Sequence, residues 1–149
     1  MKLASPIFNH NETIPAKYTC KGEDINPELH IEDIPENTQS LVLIVDDPDA
    51  PAGTANPGWV HWVVFNILPD TKIIQENSLP PSSTQGQNDF GRTAWGGPCP
   101  PSGTHRYLFK IYALDSKLNL NKNATKSDVE MAMQNHIIDS THLVGLFSR

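Results

Sequence analysis

Ser40-Leu41-Val42-Leu43-Ile44-Val45-Asp46 runs directly into Asp47-Pro48-Asp49-Ala50-Pro51. The first half is almost wholly apolar, the pattern of a central strand buried on both faces. The second half ends that strand at once, because proline cannot donate to a ladder and aspartate holds turns. A strand buried on both sides needs neighbours and a cover on each face. Leu29–Ile34, Val60–Ile67 and Arg106–Leu114 have the length and composition to be those neighbours, each bounded by turn residues. The 13 prolines are spread along the chain and discourage long helices. One helix is signalled by the overlapping capping boxes Thr125-Lys126-Ser127-Asp128 and Ser127-Asp128-Val129-Glu130. Val129, Ala132, Met133 and His136 follow at helical spacing on one face, and the methionines there read as core. The expected fold is mostly β, an antiparallel β-sandwich with one or two short helices.

The 149 residues suit one domain spanning 1–149, with no internal repeat and no visible boundary. Eleven Lys and Arg against 17 Asp and Glu give a net charge of −6, and there is no basic run, which argues against a nucleic-acid surface. No stretch has the length of a membrane span, and Met1–Pro6 lacks the apolar run of a signal peptide. A cytoplasmic protein is the expectation. In that compartment Cys20 and Cys99 are expected as free thiols; a Cys20–Cys99 bridge becomes the reading only for an exported chain.

The long connections Asp49–Gly58 and Ser78–Pro101 hold most of the Pro, Gly, Ser and Asn, and loops of that length are usually functional. Period-two alternation puts Tyr107, Phe109, Ile111 and Ala113 on one strand face, with His105 beginning the same face. By the same rule Trp59, His61, Val63, Phe65 and Ile67 share a face. Two imidazoles thus enter an apolar interior near strand ends, where each needs a hydrogen-bond partner. Asp47 is the natural one. Its carboxylate would fix the tautomer and favour the imidazolium, which attracts an anion. The predicted anion-binding residues are Asp47, Trp59, His61, Gly97, His105 and Tyr107, with Asp49 and Pro51 holding the turn. Singly, each has a plainer reading: a satisfied core histidine, an Asp-Pro turn, a glycine loop. Together they gather at strand ends and not at solvated tips. Asp47, His61 and His105 as a metal set lack any H-x-H or H-E-x-x-H spacing, so no metal and no cofactor is expected. Cys99 as a nucleophile lacks a following helix N-terminus to activate it.

Three stretches carry a family resemblance: Ser40–Leu43 leading into Asp47–Pro51, the strand Trp59–Asn66, and Gly97 through Tyr107. In this order they resemble the phosphatidylethanolamine-binding protein family, also called the Raf kinase inhibitor protein family. Gly96-Gly97-Pro98-Cys99-Pro100-Pro101 and Tyr18-Thr19-Cys20 are similar to its bacterial and archaeal branch. The resemblance implies a large antiparallel β-sandwich with a small pocket for phosphate-like headgroups, formed by Asp47, His61, Gly97, His105 and Tyr107 with Trp59 at the rim. It implies a cis peptide bond before Pro51, a homodimer, and a role in modulating a kinase, protease or other signalling partner. The chain ends at Leu146-Phe147-Ser148-Arg149 without the C-terminal helical extension of animal members, so a more open pocket is expected. Two competing readings are a hydrolase using His61 or His105 as general base, for which Ser102 and Thr104 on the pocket loop are the candidate nucleophiles, and an interaction protein with a vestigial pocket.

Overall fold

The structure, a computed structural model, describes residues 1–51 and 58–149. Its three-stranded sheet has the order β1 (Lys2–Ala4), β3 (Leu29–Glu32), β6 (Ile73–Ile74). The six-stranded sheet has the order β2 (Glu12–Thr13), β9 (Ile137–Ser148), β8 (Thr104–Leu114), β4 (Ser40–Asp47), β5 (Trp59–Ile67), β7 (Thr84–Gln85). Every pairing is antiparallel except the short one between β2 and β9. The fold is mostly β, as the sequence indicates.

β4 organises it. All its residues are buried, and they alternate between two cores. Leu41, Leu43 and Val45 face the small sheet and pack with Leu3, Leu29, Ile31 and Ile74. Val42 and Ile44 face the other way and are covered by Val129 and Met133 of α1 (Lys126–Met133). The helix starts where the first capping box places it. Thr125 Oγ1 accepts from the Asp128 amide at 3.3 Å, and Asp128 Oδ2 accepts from the Thr125 amide at 3.0 Å. His136 lies beyond the helix and bonds Asp115, and Met131 is exposed, so only part of the expected helical face is core.

Three features depart from the sequence reading. β9 is the longest strand, and its Ile-Ile-Asp-Ser-Thr-His start hides it, being largely exposed without regular alternation. β5 does not keep strict alternation: its pairing with β4 shifts register between Val45 and Asp46, whose partners are Trp62 and Val60. His61 is the extra residue of that bulge. That bulge turns Val63 and Phe65 to the helix side, and a second shift, near Asn66 at φ 56°, returns Ile67 to the space between the sheets. Finally, Cys20 and Cys99 form a disulfide, which corrects the expectation of free thiols. Their separation of 79 residues hides what the fold brings together, since the Cys20 amide donates to the Pro98 carbonyl at 3.1 Å and lays the two segments side by side.

Leu43→Ala is expected to lower the unfolding free energy by about 2–5 kcal/mol, the range for emptying a filled core site, read from denaturant unfolding. Cys99→Ser is expected to cost about 2–5 kcal/mol in the same assay, and wild-type protein treated with a dithiol should lose a matching amount.

Candidate functional site

Where β4 ends beside the start of β8, a cavity of about 260 Å³ is lined in part by Ala50 and Pro51 of the Asp49–Gly58 connection. Its polar lining is Asp47, His61 and Tyr107, and its apolar wall includes Pro51, Trp59, Phe90, Pro100 and Pro101. Residues 52–57 of that connection lie outside the described residues.

Asp47 is 2% exposed and accepts two hydrogen bonds: its Oδ1 from the Asp49 amide at 2.8 Å, its Oδ2 from His105 Nδ1 at 2.7 Å. His105 therefore stands behind Asp47 and orients it; it does not itself line the cavity. His61, 3% exposed, has a different partner. Its Nδ1 donates to the Gly96 carbonyl at 2.6 Å, which leaves Nε2 without a partner among the described residues. Burial pushes the His61 pKa below the ordinary histidine value, and the Gly96 carbonyl and the Asp47 and Asp46 carboxylates only partly offset this. At neutral pH His61 is uncharged. Sequence reasoning expected Asp47 to favour the imidazolium; at His61 desolvation wins.

Tyr107 is 1% exposed. Its hydroxyl lies beside the Asp47 carboxylate and the Cys99 backbone, with no well-formed hydrogen bond to either. Burial and then the Asp47 charge raise its pKa, so it stays a donor. Trp59 Nε1 is likewise buried without a partner. Gly97 is placed differently. Its amide donates to Asp24 Oδ1 at 2.7 Å, and a Cβ there would come within 2.4 Å of that oxygen and 2.5 Å of the Tyr18 carbonyl. Glycine is required there by close backbone approach, and its amide faces Asp24, not the cavity.

The turn residues do more than turn. Asp49 chelates Arg106 of β8, accepting from Nε at 2.9 Å, Nη2 at 2.8 Å and the backbone amide at 2.9 Å. The guanidinium holds the Asp49 carboxyl at about 2. Pro51 lines the cavity.

Phe90 is the residue sequence reasoning missed. It stands edge-on to both Trp59 and His61, with ring centroids 5.5 Å apart in each case, and is 40% exposed. Its one signal was an aromatic side chain within the polar stretch Gln85–Thr93. Buried Asn88 sets it in place, its Oδ1 accepting from the Phe90 amide at 3.0 Å while its Nδ2 donates to the Ala94 carbonyl at 2.8 Å. The ring lies over Gly96, where a Cβ would fall 2.4 Å from it.

The sequence model of the phosphatidylethanolamine-binding protein family matches residues 4–148. A UPF0098 protein of Pyrococcus horikoshii is 50% identical over 97% of this chain and 75% of its own. One of Methanothermobacter thermautotrophicus is 47% identical over 100% of this chain and 99% of its own. The crystal structure of a phosphatidylethanolamine-binding protein homologue from Chlamydia trachomatis superposes with a TM-score of 0.93, at 38% identity, over 99% of this chain and 96% of that one. The crystal structure of E. coli YbcL, described as a member of the mammalian family, gives 0.91 at 29% identity over 99% and 98%.

A buried neutral histidine sets a pH dependence whose sign is fixed. The unfolded chain takes a proton on His61 near pH 6.5 and the folded chain only lower, so the unfolded state binds more protons just below 6.5. Stability should be complete above about pH 6.5 and fall below it, by up to about 1.4 kcal/mol per pH unit from this one group. Thermal unfolding between pH 7.5 and 5.5 should show the fall, and His61→Gln should flatten it; an unchanged slope would contradict a neutral His61.

Proposed function

The chain belongs to the phosphatidylethanolamine-binding protein family, and from that premise we propose that its cavity holds a small phosphate-type anion, free or as the headgroup of a larger molecule. The observation that carries this reading is the Tyr107 hydroxyl, buried at the cavity with no well-formed hydrogen bond among the described residues. A buried donor left unmade is costly, and a ligand oxygen would complete it. Asp47, His61 and Trp59 would complete the contact set, with His105 and Gly97 as positioning residues behind it. The wall of Trp59, Phe90, Pro100 and Pro101 suits a carbon group attached to the anion.

Binding is favoured over hydrolysis because, among the described residues, no nucleophile stands where His61 would activate one. Cys99 is tied to Cys20, Ser102 and Thr104 do not line the cavity, and Thr104 bonds Ser148. A protein partner such as a kinase or protease, or a second copy of the chain, would sense occupancy at the rim, where Trp59 and Phe90 are partly exposed. The disulfide weighs against a cytoplasmic placement, since reducing compartments keep such bridges open outside hyperthermophiles.

Calorimetric titration with phosphoethanolamine is expected to show saturable one-site binding. Tyr107→Phe, which keeps the buried ring, should weaken it about tenfold, roughly 1.4 kcal/mol. Absence of binding by the wild-type protein would overturn the reading.

A further inference from the structure

We infer that this pocket reads a proton on its ligand: it takes an oxyanion that still carries an acidic hydrogen, a phosphate or phosphomonoester monoanion, in preference to a fully deprotonated or diester anion. This rests on the anion-pocket reading above and adds the chemical form the pocket accepts.

The donor and acceptor inventory leads there. Two of the polar groups at the cavity are acceptors. Asp47 keeps a free lone pair on each oxygen after the bonds from Asp49 and His105. His61, with its Nδ1–H committed to the Gly96 carbonyl, presents Nε2 as an acceptor. The donors are the Tyr107 hydroxyl and the Trp59 indole N–H, both unpaired among the described residues. No Lys or Arg is among the described lining residues. An anion with only lone pairs would satisfy Tyr107 and Trp59 but would set its remaining oxygens against Asp47 and Nε2. A P–OH group reverses one of those contacts, donating to Asp47 or His61 while the other oxygens accept.

The charged and titratable surroundings do not supply the missing donor. His61 feels the charges of Asp46 and Asp47 from β4 and of Asp89 from the Ser78–Pro101 connection, and packs against Tyr107 from β8. Lys110 and Lys126 both bond Asp46, at 2.6 Å each, and Arg106 is held by Asp49. Burial keeps His61 from charging until well below neutrality. His105, which bonds Asp47, has its Nδ1 committed to that carboxylate.

The test compares three probes by calorimetry or ligand-observed NMR between pH 5 and 8.5, each on the full chain with its disulfide intact. Methyl phosphate is a monoester that loses its second proton near pH 6. Dimethyl phosphate has the same single charge and the diester linkage of a lipid headgroup, but no acidic proton. Sulfate has neither proton. Methyl phosphate should bind at least tenfold more tightly at pH 5.5 than at pH 8, and at pH 5.5 at least tenfold more tightly than the other two. Asp47→Asn, checked for folding by thermal unfolding, should shrink the advantage of methyl phosphate over sulfate, because an amide can donate where the carboxylate cannot. Equal binding of methyl and dimethyl phosphate would overturn proton selection while leaving an anion pocket standing, and would favour a diester source. Sulfate and dimethyl phosphate that also tighten on acidification would assign the proton to the protein and overturn the inference. If no probe binds at any pH, the anion reading itself fails.

Discussion

The burial of β4 on both faces is the constraint from which the rest of the molecule follows. Each face must be covered, and the two covers are unlike: a small sheet on one side, a single short helix on the other. At the end of the strand the alternation continues into two consecutive carboxylates, Asp46 and Asp47, which are sent to opposite sides and both remain buried. A buried carboxylate persists only when its charge is met by donors. Asp46 is met by Lys110 and Lys126, which tie β8 and α1 to the strand end. Asp47 is met by His105 and the Asp49 amide, and it lines the cavity. The site is thus the place where the central strand runs out of apolar residues on its inter-sheet side.

This explains which parts were legible in the sequence. β4, β5 and β8 were readable because their apolar runs are long and their turn residues strong, and the alternation from His105 through Ala113 holds residue by residue. The family likeness rests on the same stretches. His61 was placed near the right cavity for an incomplete reason: period two put it with Val63 and Phe65, whereas a bulge sets it apart from both and aims it at Tyr107. A bulge leaves no mark in a single sequence, since its inserted residue looks like any other strand residue. The disulfide and Phe90 were illegible for another reason. Both depend on how the Ser78–Pro101 connection folds back on the sheet, and that path is set by buried Asn88 and by the Asp24–Gly97 contact, which are long-range facts.

The electrostatics of the cavity follow from burial more than from composition. An imidazole and a phenol placed in the interior are held in their uncharged forms, and the acidic side chain among the described lining residues is Asp47. What the described lining offers a guest is matched donors and acceptors and apolar contact, without a positively charged side chain. Such sites trade raw strength for discrimination between closely similar ligands.

The cavity's lining has two origins with different freedom to vary over evolutionary time. Its polar floor is borrowed from β4, β5 and β8, strands whose neighbouring side chains are core, so a substitution there is felt throughout the framework. Its Phe90 and proline wall belongs to a connection that packs on the sheet from outside. Loop substitutions near Phe90 can therefore reshape the apolar wall while the polar floor stays fixed, and an insertion or deletion within β5 would be eliminated where the same change near Phe90 would be an experiment.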